Sequence, residues 1–155
     1  MLPEDLRKDI EFTFQEVARE LESPQLLFVL AQNGELDTIH TMAAAAVLHS
    51  VYNALESSFV MIQKRIDGRI AESGHWHTVL LDAMATASPR RSAVISLECR
   101  EMLRDYLAFR LRFRHGFGWS LDPVKVAAML NNLSQLTERT REEILLFLDR
   151  EDSCR

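Results

Sequence analysis

The residues with the most chemistry to offer sit in one run, Phe109-Arg110-Leu111-Arg112-Phe113-Arg114-His115. Arg110 and Arg114 are four apart, so on a helix they share a face. His115 follows at the helix end, where the C-terminal dipole favours an imidazolium. An arginine fixed beside a proton-exchanging imidazole suits phosphodiester chemistry without a metal. The guanidinium holds the phosphate and the charge that builds on it, and the imidazole moves a proton. RNA supplies its own nucleophile in the 2′-hydroxyl. The plainer reading of the same residues is a solvated arginine face with His115 as a cap, and spacing alone does not separate the two. Phe109, Phe113 and Phe117 also repeat at four, a pattern of core more than of base stacking.

The elements that must position this segment are helical. Pro3, Glu4 and Asp5 suit a first helical turn, and Leu6, Ile10, Phe14, Val17 and Leu21 recur at three and four. Ser23-Pro24 ends that helix and starts a short one through Leu26–Leu30; Asn33-Gly34 is a turn. A long helix is predicted from about Leu36 to Arg65 or beyond, followed by turn signals at Gly68 and Ser73-Gly74. A short helix follows over Trp76–Ala87, then a loop over 87–91, then a helix from Ser92 to His115 broken by Gly116 and Gly118. Asp122 reads as an N-cap with Pro123 at the first helical position. The last helix runs from Val124 to about Leu148, with an interruption expected near Asn131-Asn132. The sum is an all-α bundle of five or six helices in one domain, residues 1–155, with no repeat or linker.

Composition bounds the function classes. With 155 residues, 47% hydrophobic and 26% charged, the chain matches a soluble globular domain. Cys99 and Cys154 stand alone, which fits a reducing compartment and argues against cysteine zinc sites. No signal peptide and no apolar run of membrane-spanning length is visible, so a cytoplasmic protein is expected. The net charge of −5 disfavours general attraction to RNA. Yet residues 104–115 hold four arginines against the single Asp105. No P-loop, GxGxxG or serine triad is present.

Other polar residues have plainer readings. His75-Trp76-His77 has a spacing that can bind metal, but a helix start with a packed tryptophan explains it better, and no metal or cofactor is expected. His49 reads as a satisfied polar core residue. Glu56 reads as a solvated glutamate, with the orienting of an arginine as its alternative. Tyr52 and Tyr106, the only tyrosines, look buried by periodicity.

Arg110-x4-His115-x-Phe117 resembles the R-x4-6-H-x-Y signature of HEPN-domain ribonucleases. Leu48–Glu56, Trp76-His77-x2-Leu80-Leu81-x2-Met84, Ala93–Ser96 and Phe109–Asp122 follow in an order similar to the HepT-like toxins of bacterial HEPN/MNT toxin–antitoxin pairs. The resemblance is strongest over residues 41–148. It implies a HEPN-like up-and-down helical bundle and a homodimer whose Arg–His pairs form one composite cleft. It implies metal-independent endonuclease activity on tRNA or mRNA, with Arg110 and His115 catalytic. It also implies an MNT-type nucleotidyltransferase antitoxin that, in some members, adds AMP to the signature tyrosine. Arg114 and Arg112, by their position beside this pair, are expected to contact phosphate. Phe117 departs from the signature tyrosine and has no hydroxyl to accept AMP. That departure supports an alternative, a non-catalytic HEPN-like module that docks the nucleotidyltransferase. A helical dimerisation scaffold with an incidental basic stripe is a third reading.

Overall fold

The computed structural model describes residues 2–70, 72, 74–115 and 121–154, with His115 described by its helical backbone only. Helix α1 spans Glu4–Glu22 and buries Leu6, Ile10, Phe14 and Val17, the stripe its periodicity predicts. Helix α2 spans Gln25–Asn33. Gly34 stops it in the left-handed conformation, φ 68°, which a side chain would strain. The Gly34 and Glu35 amides then bond back to Ala31 and Leu30 carbonyls, closing the helix end. Helix α3, Thr38–Ile62, starts on Asp37, whose carboxylate accepts from the His40 amide at 2.8 Å. It continues into a π-helical turn, Gln63–Asp67, closed by the Gly68 amide on the Gln63 carbonyl at 3.1 Å. Helix α4 is Trp76–Met84, α5 is Leu97–His115 and α6 is Pro123–Ser153. Asp122 caps α6 by accepting from the Val124 amide at 3.0 Å, as its sequence signature predicts.

Among the described residues there are six helices and no strand, so the all-α bundle expectation holds. Helix α3 is the central element and packs against α1, α2, α4, α5 and α6. Its Leu48, Val51, Leu55, Phe59 and Ile62 are buried essentially completely. Cross-links show the up-and-down order. Arg7 near the start of α1 pairs with Asp149 near the end of α6 at 2.7 Å. Arg139 on α6 reaches Glu98 at the start of α5, while Tyr106 further along α5 reaches the earlier Met129 on α6. Helices α5 and α6 are thus antiparallel.

Three predicted boundaries are corrected. Helix α5 starts at Leu97, not Ser92. The Ser92 amide and hydroxyl donate to Glu151 on α6 at 2.9 and 2.8 Å, and those of Ser96 donate to Glu143 at 2.7 and 2.8 Å. The Val94 and Ile95 amides both point to the Met84 carbonyl. These amides are satisfied outside a helix, so the chain stays irregular there, with a bend at Val94 and Ile95. Helix α4 stops at Met84, short of Ala87, for the same reason: its last carbonyl is taken by that segment. Helix α6 runs unbroken through Asn131-Asn132, with the Asn132 side chain donating to the Ala128 carbonyl at 2.9 Å, and extends to Ser153.

The loop between α4 and α5 is held from inside by Arg91, which is 5% exposed. Its guanidinium meets both Asp67 oxygens and donates to the carbonyls of Ala83, Thr86 and Ser92 at 3.1–3.2 Å. One residue thus joins the π turn, the end of α4 and the approach to α5.

Candidate active site

His49, Asn53 and Glu56 are spaced by four and three on α3 and form one stripe. Helix α5 crosses this stripe in the opposite direction. Phe113 lies beside His49, ring centroids 5.6 Å apart, and Arg110 lies beside Asn53. The first turn of α4 brings in His77, stacked on Trp76 at 3.7 Å.

These side chains converge on Arg110. Its Nε donates to Asn53 Oδ1 in a short hydrogen bond. Its Nη2 lies 3.7 Å from Glu56 Oε1, and its Nη1 lies 3.2 Å from His77 Nδ1. His77 Nδ1 is also 2.8 Å from Glu56 Oε2. Arg110 is 8% exposed, Glu56 5% and His77 8%. A charge this deep needs an opposite partner, and Glu56 and Arg110 supply it to one another while Asn53 and His77 add polar contacts.

The hydrogen-bond roles follow from chemistry. Arginine has donors only, so Nδ1 cannot donate to Glu56 and accept from Arg110 at once. A lone pair held 2.8 Å from a carboxylate oxygen would be repulsive. Nδ1 therefore carries the proton and donates to Glu56, and Arg110 Nη1 rests against the ring nitrogen without a hydrogen bond.

The predicted site residues divide. Arg110 turns inward, whereas Arg112 and Arg114 are exposed. Arg104, which contributes to the basic character of the segment, sits near Asp82 and Glu101 at 4.0 and 3.5 Å. His115 ends α5 five residues after Arg110; its side chain, and Phe117, lie outside the described residues. Phe109 is buried and stacks with Phe113 at 6.0 Å, consistent with the core reading of that stripe.

Two plain readings are corrected. Glu56 is not solvated but buried beneath Arg110, because α4 and α5 both close over its face of α3. His49 is half-buried, and its Nδ1 is buried without a hydrogen-bond partner among the described residues. Burial, then the positive charges of Arg110 and Arg114, hold its imidazole below the ordinary histidine range. Both guanidiniums thus act on the same ring, as their shared helix face requires. His77 was legible only as part of a helix start; its polarity next to a tryptophan that packs on the core was the available signal for a polar cluster.

Both tyrosines are buried, as periodicity suggests. Burial, and next the Glu56 carboxylate, raise the Tyr52 phenol strongly. Burial pushes Tyr106 up to about 12, and its hydroxyl donates to the Met129 carbonyl at 2.7 Å.

Among the described residues no group of three histidine, cysteine, aspartate or glutamate side chains could hold a metal ion, and no helix is long and apolar enough to cross a membrane. The sequence model of one protein family, described as HepT-like protein, matches residues 43–150, which include every member of the Arg110 cluster and His115. No curated protein and no solved structure matches the chain.

Proposed function

Because the chain belongs to the HepT-like family, we propose that it is the metal-independent endoribonuclease toxin of a HEPN/MNT toxin–antitoxin pair. It acts on tRNA or mRNA in the cytoplasm as a homodimer, each protomer a single domain. Arg110 and His115 of two protomers share one cleft, with Arg112 and Arg114 along its rim. The observation that supports this reading is the buried cradle of Arg110, five residues before His115. Three helices fix one guanidinium at the end of α5, the preorganisation that a charge-stabilising group requires.

The chemistry is transesterification. The 2′-oxygen of the substrate bonds to phosphorus as the bond from phosphorus to the 5′-oxygen breaks. A base takes the 2′-hydroxyl proton, and an acid returns one to the departing 5′-oxygen. Two protomers bring two copies of His115, enough for one base and one acid. Arg110 stabilises the charge that grows on the phosphoryl oxygens. Two copies of α5 side by side would gather the exposed Arg112 and Arg114 into a locally basic groove on an acidic protein.

Neutralisation by the nucleotidyltransferase partner is through binding. Phe117 has no hydroxyl, and Tyr52 and Tyr106 are buried, so no tyrosine of the described fold offers an acceptor for AMP. The same Phe117 favours a second reading, a docking module without catalysis.

The test is cleavage of total tRNA and a structured mRNA by purified protein in EDTA. Wild type is expected to leave 2′,3′-cyclic phosphate ends. Arg110→Ala is expected to slow cleavage by about 10²–10³-fold, and His115→Ala by about 10²–10⁴-fold. A folded dimer of wild type that cuts neither RNA would favour the docking module.

A further inference from the structure

The 3.7 Å between Arg110 Nη2 and Glu56 Oε1 is long for two buried opposite charges. An unopposed arginine–carboxylate pair closes to about 2.8 Å and is often bidentate. Asn53, not Glu56, holds Arg110 Nε. What holds Glu56 back is His77, whose Nδ1 proton engages Glu56 Oε2 at 2.8 Å and fixes the plane of the carboxylate. His77 is itself fixed by the ring of Trp76 stacked on it at 3.7 Å. Among the described residues, Asn53 Oδ1 is the oxygen that accepts a hydrogen bond from the Arg110 guanidinium, and Glu56 stands off at 3.7 Å.

We infer that His77 is a positioning residue for Arg110: by occupying Glu56 it prevents a closed ion pair and keeps the η nitrogens available to a phosphate. The inference rests on the ribonuclease reading for its biological use, but its physical content is independent of cleavage. Glu56 then serves as a fixed counter-charge behind the guanidinium, and Asn53 sets its rotation. Without the His77 donor, the buried Oε2 has lost its partner, and the Arg110 η nitrogens are donors 3.7 Å from the same carboxylate. The carboxylate turns onto the guanidinium, and phosphate must compete with it.

The experiment compares wild type, His77→Ala, the double variant His77→Ala/Glu56→Gln, and His77→Gln. Each is labelled with ¹⁵N-arginine, and exchange of the Arg110 η protons is followed by NMR with and without inorganic phosphate. RNA cleavage is measured in parallel. In His77→Ala the η protons are expected to exchange more slowly, phosphate to perturb them less, and KM for RNA to rise about tenfold, the equivalent of one closed ion-pair contact, with kcat changed less. The Glu56→Gln change, which removes the competing charge, is expected to reverse these effects. His77→Gln, whose amide can still donate to Glu56, is expected to behave as wild type. Should His77→Ala not fold, His77→Phe, which fills the space against Trp76 without a donor, takes its place. Unchanged η-proton exchange in the variant, or no reversal by Glu56→Gln, overturns the inference. If wild type cuts no RNA while the NMR pattern is as expected, the positioning role stands and the ribonuclease reading alone fails.

Discussion

His49 faces two guanidiniums with a ring nitrogen that has no partner among the described residues. Its folded-state pKa is depressed, so the unfolded chain takes up the proton more readily. Stability is therefore highest above the ordinary histidine value, about 6.5, and falls as pH drops through that value toward the folded one. Replacing His49 by Asn removes this proton uptake. Denaturation midpoints measured between about pH 8 and pH 5 are expected to fall more steeply for wild type than for His49→Asn. Parallel curves would mean that His49 is protonated as easily in the fold as outside it. In the proposed cleavage reaction, a neutral imidazole at this place would leave the positive charge of Arg110 and Arg114 for the phosphate.

At the scale of elements, the loop from α4 to α5 depends on Arg91. Its removal would leave the buried Asp67 carboxylate without its cation and take a donor from each of three carbonyls, of which that of Ala83 keeps the Thr86 amide. Arg91→Ala is expected to cost about 3–5 kcal/mol, the usual loss on breaking a buried pair, measured as a shift in the denaturation midpoint. A loss under about 1 kcal/mol would place this pair with solvent-screened ones. Arg91 also marks where the sequence stops being readable. Leu6, Ile10, Phe14 and Val17 announce α1 because a helix writes its buried face into local spacing. Asp122-Pro123 announces α6 because a cap is a local device. The start of α5 is not local: it is set by Glu143 and Glu151, more than forty residues further along the chain. The Arg110 cluster was half legible for the same reason. The arginine and its histidine neighbour are adjacent in sequence, but Glu56, His77 and Asn53 reach it from two other helices, and no period along one helix shows which polar residues another will cover.

At the scale of the molecule, one core supports both the bundle and the site. Phe59 is fully buried on α3, one turn from Glu56. Phe59→Ala is expected to cost about 3–5 kcal/mol, a large part of the 5–15 kcal/mol typical of a domain, read from denaturant unfolding. A value near 1 kcal/mol would show that α6 and α1 collapse into the space. The exposed charge follows the same architecture: the arginines nearest α4 are balanced by Asp82 and Glu101, while Arg112 and Arg114 at the far end of α5 are exposed. The π turn after α3 adds a different kind of specification. Within Gln63–Asp67 the chain spends one more residue per turn than an α-helix does, and the Asp67 carboxylate then meets Arg91. Each α-helical residue advances about 100° around the axis. Deleting Lys64 would restore ordinary winding and swing Asp67 away from Arg91 by about that angle, with every other side chain of the turn kept. What this stretch encodes is a count as much as a composition, so a shortened relative would need to rebuild the Arg91 anchorage even with Asp67 and Arg91 both kept.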